Sequence, residues 1–291
     1  MTVLEVIQKS ADFLAKKGVD SPRLQIELLL AHALQIPRLN LYLNFERSLS
    51  KAEADVVRQM VKRRGSREPL QHILGSTFFC GLEMRVTPAV LVPRPETELL
   101  AERAWLFLNG RQARGPGPVS VLDFGTGSGC LAIAIAVKSP TARVCALDIS
   151  AAALEVASQN AAVHRVSERI GFVQGDGFAA LPAGSLFDMI VSNPPYIPTR
   201  EIETLQPEVR DHDPRLALDG GEDGLGFYRR FAAQAKRFLR SDGRLMVEIG
   251  DGQETSIREL FGNHGWSLEA VQSDYTGRPR ILEAKTEDPA R

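Results

Sequence analysis

The sequence has few cysteines and almost no net charge. It contains three cysteines in 291 residues, Cys80, Cys130 and Cys145, so at least one must be unpaired. Such sparse use of cysteine favours a reducing compartment and argues against a disulfide framework. The formal net charge is −1. The chain therefore has no global basic field to draw it to nucleic acid or to an anionic membrane.

Long apolar runs and metal-like histidine pairs are missing as well. No apolar stretch approaches the ~18–20 residues that a membrane span requires. The N-terminal segment contains Glu5 and Asp12, where a secretory signal would be apolar. None of the five histidines forms a pair typical of a metal site, so no metal is predicted. No long apolar stripe is left for a partner subunit, and we expect a cytoplasmic monomer.

Residues 1–75 show helical periodicity and contain no catalytic motif. Ser50 can cap one of these helices, with Glu53 at the capping-box position three residues later. The run VKRRGSRE at 61–68 is the only dense basic stretch of the chain. We interpret it as a solvated helix end.

Residues 76–96 are rich in β-branched and aromatic residues and are broken by glycine and proline, which predicts a β-hairpin linker. A helix capped by Thr97 is predicted to follow. The motif RPETE spans this junction and contains Arg94, Glu96 and Glu98. These charged residues either close a ligand pocket or simply mark the beginning of the helix.

From residue 119 onwards, strand patterns alternate with helical patterns. This alternation predicts an α/β fold with a largely parallel sheet that is covered by helices on both faces. The predicted strands lie at 119–125, 142–149, 170–176, 187–192, 243–250, 266–272 and 280–285.

The segment LDFGTGSGC places three glycines between the first of these strands and a helix. Small residues let the backbone approach a ligand closely, and a helix N-terminus offers free N–H groups. No Gly-Lys-Ser/Thr follows, so the loop is not a phosphate loop of the Walker type. Asp123 precedes the loop. A carboxylate there repels a pyrophosphate but suits a cationic ligand such as an amino group or a sulfonium.

Two further acids lie at the ends of the next two predicted strands. Asp148 comes 21 residues after Gly127, which is about the spacing at which an acid reaches a ribose diol. Asp176 could contact an adenine amino group, with Phe178 lying on the adenine ring. The alternative is that the glycines only make a tight turn and that the acids only cap helices or hold loops.

These features, from about residue 119 to 285, resemble the class I S-adenosylmethionine-dependent methyltransferases. The resemblance implies a seven-stranded sheet with its last strand antiparallel. It also places S-adenosylmethionine over the carboxyl ends of the first strands, in agreement with the general rule for open parallel sheets. The fourth strand should then end beside the transferable methyl group.

The fourth predicted strand ends in Asn193, Pro194, Pro195 and Tyr196. Proline cannot donate to a sheet ladder, so the strand must stop there. The Asn193 side-chain oxygen and the Pro194 carbonyl can accept the two hydrogens of a planar NH₂ group, which favours charge build-up on its nitrogen. Tyr196 can stack on the flat group, and the prolines hold the loop in shape.

Asn-Pro-Pro-Tyr alone allows adenine in DNA, guanine in RNA or glutamine in protein. An amino-group methyltransferase acting on DNA or RNA is therefore a second hypothesis. A binding module that keeps the fold without catalysis is a third. The intact glycine loop, Asp148 and Asn193 argue against the third hypothesis.

The flanking segments resemble the peptide chain release factor glutamine N5-methyltransferase family over nearly the whole chain. The segments include EPLQHILG at 68–75, VTPAVLVPRPETELL at 86–100 and EVRDHDPRLALDGGEDGLGFYRR at 208–230. The family methylates the glutamine of the Gly-Gly-Gln loop in bacterial class 1 release factors, with no direct requirement for nucleic acid. The resemblance thus implies a release-factor-docking domain at 1–75 and a methyltransferase domain at 97–291.

The resemblance also implies roles for single residues. Asn193, Pro194, Pro195 and Tyr196 hold the glutamine. Many relatives carry a bulky aromatic residue where this chain has Gly177. Gly177 would line the adenine pocket through its backbone, or stacking would pass to Phe178. The implied cofactor contacts are Gly125, Thr126, Gly127, Ser128, Gly129, Asp148, Asp176, Gly177, Phe178 and Asn193.

Overall fold

The computed structural model describes residues 1–112 and 117–286. The chain divides into two compact units. The first, which we call the helical unit, comprises Met1–Ser76 and Leu205–His212. The second, which we call the sheet unit, comprises Thr77–Thr204 and the chain from Asp213 onwards.

Ten α-helices and nine strands occur in the described part of the chain. The helices are α1 (Val3–Lys16), α2 (Pro22–Leu34), α3 (Lys51–Gly65), α4 (Leu70–Leu74), α5 (Pro95–Gln112), α6 (Cys130–Lys138), α7 (Ala151–Val163), α8 (Pro207–Arg210), α9 (Gly226–Gln234) and α10 (Glu254–Asn263). The strands are β1 (Ser76–Phe79), β2 (Leu82–Arg85), β3 (Val119–Phe124), β4 (Ala142–Asp148), β5 (Ile170–Gln174), β6 (Phe187–Ser192), β7 (Leu239–Glu248), β8 (Trp266–Ser273) and β9 (Pro279–Thr286).

The helical unit is built from α1 to α4 together with the later helix α8. The predicted capping box at α3 is confirmed, because the Ser50 N–H donates to Glu53 across 2.8 Å and the Glu53 N–H donates back to the Ser50 hydroxyl. Apolar side chains from α1 and α2 form the core, with Leu14, Ile26 and Leu29 fully buried. The unit therefore has its own hydrophobic core.

The basic run at 61–68 is only partly the predicted solvated helix end: Lys62 and Arg63 are exposed at the end of α3, but Arg64 is buried. Arg64 is only 3% exposed, and its guanidinium donates to Glu208 across 2.6 Å. Arg67 donates to both oxygens of the same carboxylate. Burial favours the neutral form of Glu208, but hydrogen bonds from Arg67 and Arg64 outweigh it and lower the pKa of Glu208 to about 2.

The sheet unit contains a seven-stranded sheet with the strand order β5-β4-β3-β6-β7-β9-β8. Pairing is parallel from β5 through β7, and β9 is antiparallel to both of its neighbours. This confirms the predicted seven-stranded α/β sheet with its last strand antiparallel. Strands β3 and β6 are neighbours although β4 and β5 separate them in sequence. The chain therefore switches direction across the sheet at this point, where open α/β sheets bind ligands.

Both faces of the sheet are covered, which explains the continuous apolar runs in its strands. Every residue of β6 is buried. One core cluster includes residues of α5 and α6, and the other includes residues of α9 and α10. Strand β7 begins at Leu239, four residues before the predicted start, because Leu239 pairs with Phe187 ahead of an irregularity in the β6–β7 register.

Two predictions about the segment before the sheet differ from the structure. The hairpin β1–β2 is present, but Phe79 and Met84 are fully buried in the core of the sheet unit, so the hairpin is more than a linker. Helix α5 begins at Pro95, and Thr97 therefore lies inside the helix rather than at its cap. Proline is well suited to a first helical turn because its missing N–H would have no intrahelical partner there.

The three cysteines are free and partly exposed. Burial raises the pKa of Cys80 and Cys130 to about 12 and that of Cys145 to about 11, so the thiols stay protonated at neutral pH. Within residues 1–112 and 117–286, no helix combines the length and apolar character needed to cross a bilayer. In the same residues, no three His, Cys, Asp or Glu side chains gather where they could hold a metal ion.

Candidate active site

A cavity of about 370 Å³ opens in the sheet unit at the carboxyl ends of β3 to β6. Its floor follows from the parallel topology, which brings the segments after these four strands to one edge of the sheet. Further wall residues come from 89–97 and from 214–217. The predicted site residues that line it are Gly125, Thr126, Gly127, Ser128, Asp148, Asp176, Gly177, Asn193 and Pro195.

Gly125 and Gly127 present an open face to this cavity. Their φ angles are +75° and +54°, in the left-handed region that favours glycine. A Cβ atom added to either residue would meet nothing within 4 Å. The loop therefore offers bare backbone that a ligand can approach closely.

Gly129 plays a different part from the other two glycines and does not line the cavity. A Cβ atom there would lie 3.0 Å from the Ala157 Cβ and 3.1 Å from the Ile133 Cδ1. The predicted cofactor contact at Gly129 stays a prediction, and its packed surroundings do not support it. Close packing between α6 and α7 explains why this position is glycine.

Asp148 lies at the end of β4 and lines the cavity. Its Oδ2 accepts from the Gly127 N–H across 2.8 Å, and its Oδ1 accepts from the Ser150 N–H across 2.9 Å. The carboxylate thus ties the glycine loop to the turn before α7. Each oxygen can accept a further hydrogen bond, which leaves room for contact with a ribose diol. That contact stays a prediction.

Asp123 lies beneath the loop rather than in the cavity wall. It is fully buried, and its Oδ2 accepts from the Thr126 hydroxyl across 2.6 Å and from the Ala132 N–H across 3.1 Å. Burial raises the pKa of Asp123 to about 7. Its carboxylate therefore holds the loop, and the expected direct contact with a cationic ligand does not fit this position. Its Oδ1 is buried without a partner among the described residues.

The segment after β5 brings Asp176 and Gly177 to the cavity, but not Phe178. Asp176 is exposed and pairs with Arg230 across 2.8 Å. Phe178 is 4% exposed and stacks on Phe238 in the core, with ring centroids 4.9 Å apart. Stacking of Phe178 on adenine stays a prediction, and the position of Phe178 in the core argues against it. Gly177 remains as the backbone wall.

The loop after β6 brings Asn193 and Pro195 to the cavity wall. Pro194 is buried, and Tyr196 is half-buried against the sheet core; neither is among the lining residues. Burial raises the pKa of Tyr196 to about 12, so its phenol stays neutral. The predicted carbonyl contact of Pro194 and the predicted ring contact of Tyr196 stay predictions.

Three residues that the sequence reasoning missed hold this loop in place. Gln253 donates from Nε2 to the Tyr196 carbonyl across 2.9 Å. A Cβ atom at Gly220 would lie 2.8 Å from the Tyr196 Cα, and one at Gly224 would lie 2.4 Å from the Tyr196 oxygen. The glycine-rich segment DGGEDGLG was the available signal, since such clusters often mark a close backbone approach.

Thr97 and Glu248 are a second pair that the sequence reasoning missed as site residues. The Asn193 Nδ2 donates to the Thr97 Oγ1 across 2.9 Å, and the Thr97 hydroxyl donates to the Glu248 Oε2 across 2.6 Å. Both residues are 2% exposed. Burial raises the pKa of Glu248 to about 7, and the Thr97 hydrogen bond and Arg280 oppose this rise. Sequence offers no signal for contacts across 96 and 151 residues.

The motif RPETE combines the two roles that were left open for it. Arg94 lines the cavity and pairs with Asp213 across 2.7 Å. Glu96 and Glu98 lie in the first turn of α5, where acidic side chains favour the helix dipole. Glu98 also accepts from the Cys80 N–H across 2.8 Å, which ties the hairpin to the helix.

Comparison with known proteins identifies the family. Residues 5–75 match the model of the PrmC N-terminal domain, and residues 111–209 match that of the Methyltransferase small domain. The release factor glutamine methyltransferase of Geobacter sulfurreducens is 43% identical over 97% of this chain and 95% of that protein. The chain belongs to the release factor glutamine methyltransferase family. A second member, from Chlorobaculum tepidum, is also 43% identical, over 97% of this chain and 96% of that protein.

A solved structure supports the fold of this family member. A methyltransferase from Pyrococcus furiosus aligns with a TM-score of 0.50 and 20% identity, over 70% of this chain and 89% of that chain. At this identity the match shows the shared fold alone. It agrees with the predicted class I methyltransferase sheet.

S-adenosylmethionine is the cofactor of this methyltransferase family. The cavity fits such a ligand in two respects. Gly125 and Gly127 leave the loop backbone open towards the cavity, and Asp148, Asp176 and Asn193 contribute polar groups to its lining. The predicted family and cofactor are confirmed, while the contact assigned to each residue is a matter for proposal.

Proposed function

We propose that this chain transfers a methyl group to the side-chain amide nitrogen of the glutamine in the Gly-Gly-Gln loop of bacterial class 1 release factors. The names of its relatives support the class of substrate. The observation that carries the proposal is the position of Asn193. It ends a buried strand at the cavity wall, and its amide nitrogen is already bonded to Thr97.

Asn193 acts as an acceptor in this proposal. With Nδ2 bonded to Thr97, the Oδ1 atom is left for another donor, and no group of the described residues donates to it. A glutamine amide nitrogen is a poor nucleophile because its lone pair is delocalised. An acceptor at one of its hydrogens orients the nitrogen and favours the charge that builds up as it attacks.

Pro194 and Tyr196 complete the substrate site in the proposal. The Pro194 carbonyl accepts the second N–H hydrogen, and Tyr196 stacks on the planar amide. Pro195 lines the cavity beside Asn193. Two successive prolines restrict the loop before substrate arrives, which lowers the entropy lost on binding.

The cofactor is held by the glycine loop and by the acids of β4 and β5. When bound, S-adenosylmethionine supplies a methyl group that its sulfonium charge has already activated. Gly125, Thr126, Gly127 and Ser128 present the loop backbone, and Asp148 accepts from the ribose hydroxyls. Asp176 and Gly177 form the wall at adenine. The methylated amide loses its extra proton to water, because an N-protonated amide is strongly acidic and requires no general base of ordinary pKa.

The helical unit is the proposed docking domain for the release factor. Residues 5–75 match the PrmC N-terminal domain, which suits that role. A monomer in the cytoplasm is the expected state of the enzyme.

The nucleic-acid alternative loses its main support in this structure. Arg64 and Arg67 are bound to Glu208, and Arg63 is paired with Glu68 across 2.5 Å. A phosphate-binding surface needs arginines that face solvent without such partners. All three arginines at 63, 64 and 67 are thus paired with carboxylates within the helical unit.

An incubation with labelled cofactor and a purified release factor tests the function. We expect label on the wild-type factor and none on a factor whose loop glutamine is replaced. Equal label on both factors would show that another residue is the target. Parallel reactions with DNA and RNA at several salt concentrations test the alternative, since nucleic-acid binding weakens steeply as salt rises.

The variant Asn193→Ala tests the mechanism. We expect a loss of about 10²–10³-fold in kcat, the usual effect of removing one group that stabilises transition-state charge. Asn263→Ala is a matched control, because Asn263 is exposed at the end of α10. Unchanged turnover in Asn193→Ala would remove Asn193 from the mechanism.

A further inference from the structure

Thr97 and Glu248 form a buried chain of hydrogen bonds that ends on Asn193. The Asn193 Nδ2 donates to the Thr97 Oγ1 across 2.9 Å, and the Thr97 hydroxyl donates to the Glu248 Oε2 across 2.6 Å. Thr97 and Glu248 are each 2% exposed, so water hardly competes for these bonds. In such surroundings a hydrogen bond is electrostatically stronger than in water.

This series of hydrogen bonds has a direction, because its three side chains differ in what they can donate. Above about pH 7 the Glu248 carboxylate is ionised and only accepts, so the single hydrogen of the Thr97 hydroxyl is committed to Glu248. The lone pairs of Thr97 Oγ1 then remain for Asn193. They attract the NH₂ end of an amide and repel its oxygen end. Glu248 therefore decides, through Thr97, which way round the Asn193 amide stands.

We infer that Thr97 and Glu248 are positioning residues that keep the Asn193 Oδ1 available to an N–H of the substrate glutamine. This inference rests on the proposed function, in which Oδ1 is an acceptor. Without the hydrogen bonds from Asn193 through Thr97 to Glu248, the Asn193 amide can turn by about 180° about its last torsion, which has a broad two-fold preference. The NH₂ end would then meet the NH₂ group of the glutamine, and two donors cannot form a hydrogen bond.

The three residues come from rigid elements that the fold brings together. Asn193 follows β6, Thr97 lies in α5, and Glu248 is the last residue of β7. The backbone carbonyl of Glu248 accepts from the Tyr228 hydroxyl across 2.9 Å. A site held by helices and strands is placed more accurately than one held by loops alone.

The test compares Thr97→Val with Thr97→Ser in the full-length enzyme. Valine keeps the size of threonine but removes the hydroxyl, whereas serine keeps the hydroxyl. We expect Thr97→Val to lower kcat by about 10²-fold, as for a lost oxyanion-type contact. The KM for the release factor should stay within about threefold, since uniform binding is untouched. Thr97→Ser should restore kcat to within about threefold of wild type.

Glu248→Gln provides a second variant that retains a hydrogen-bonding group beside Thr97. A glutamine can donate from its own NH₂ group and so reverse the chain. We expect a loss of about tenfold in kcat with little change in the affinity for S-adenosylmethionine. Ser139→Ala is the control for a lost buried hydroxyl, since Ser139 is fully buried and donates to Asn109 across 2.8 Å. It should leave kcat unchanged.

The side-chain amide signal of Asn193 in ¹⁵N NMR gives a readout that needs no activity. It is assigned by its absence in Asn193→Ala. We expect slow exchange of one amide proton in wild type and in Thr97→Ser, and fast exchange in Thr97→Val. A Thr97→Val enzyme with wild-type kcat would overturn the inference while the proposed function stands. Failure of the wild type to methylate a release factor would overturn the proposed function. Fast exchange of the Asn193 amide protons in the wild type would separately refute the hydrogen bonds through Thr97.

Discussion

Glu208 in the helical unit and Glu248 in the sheet unit are both largely withdrawn from solvent, but their partners differ. Glu208 accepts from two arginines, and the pKa of its carboxyl falls to about 2. Glu248 accepts a side-chain hydrogen bond from a neutral hydroxyl, and burial raises its pKa to about 7. The first arrangement satisfies a charge within the fold. The second leaves a carboxylate whose charge is costly and whose effect passes to Asn193.

The same contrast separates the glycines and acids of the sheet unit. Gly129 faces packed side chains, whereas Gly127 faces open space in the cavity. Groups whose contacts all lie within the protein contribute to stability. Groups that keep one side open to the cavity are available for binding. Substitutions in the first class should therefore change stability most, and substitutions in the second class should change binding most.

The largest effect is expected from removing the charge of Glu208. Glu208→Gln leaves the buried Arg64 without its carboxylate, and we expect a loss of about 3 kcal/mol in the free energy of unfolding at pH 7. Denaturant unfolding measures it. The control is Glu203→Gln, whose pair with Arg215 is exposed and should contribute less than about 0.5 kcal/mol. Equal losses in both variants would contradict the comparison.

The pH dependence of the two carboxylates should run in opposite directions. The lowered pKa of Glu208 gives stability that is present above about pH 4.5 and lost as the pH falls towards 2. The raised pKa of Glu248 gives a cost that grows as the pH rises from about 4.5 to 7. We therefore expect Glu248→Gln to gain about 2 kcal/mol relative to wild type between pH 5 and pH 7. If the difference in the free energy of unfolding between Glu248→Gln and wild type does not change with pH, the raised pKa of Glu248 is refuted.

Alanine at the two glycines should separate packing from binding. Gly129→Ala forces a Cβ against Ala157 at a φ of +80°, and we expect a loss of about 1–2 kcal/mol in stability. Gly127→Ala should cost less stability because its Cβ meets nothing within 4 Å. It should instead weaken cofactor binding by about tenfold or more. Calorimetric titration with S-adenosylmethionine measures binding, and thermal unfolding measures stability. Weaker binding in Gly129→Ala together with a larger loss of stability in Gly127→Ala would contradict the expectation.

The smallest effect is expected at Asp176, which is exposed and paired with Arg230. Asp176→Asn should change stability by less than about 0.5 kcal/mol and lower the cofactor affinity only a few-fold. Asp223→Asn is the control, because it breaks a similar exposed pair with Arg229, and Asp223 does not line the cavity. If both variants bind the cofactor as wild type does, Asp176 has no part in the adenine wall.

Periodicity and motif spacing determined the architecture and much of the candidate site. Alternating strand and helix patterns predicted all seven strands of the sheet. Strands buried on both faces form continuous apolar runs, and the loops between them interrupt these runs. Gly127, Asp148 and Asn193 were predicted because each lies at or just after the end of a recognisable strand, and parallel strands bring their carboxyl ends to one edge. These inferences depend on local pattern and on one rule of topology.

Only the tertiary structure decided which groups face the cavity and which face the core. Phe178 lies next to a lining residue but packs on Phe238, and Asp123 supports the loop from below. Thr97 looked like a helix cap, yet its hydroxyl joins Asn193 to Glu248. Side-chain direction and long-range hydrogen bonds arise when distant segments pack, so no local spacing records them.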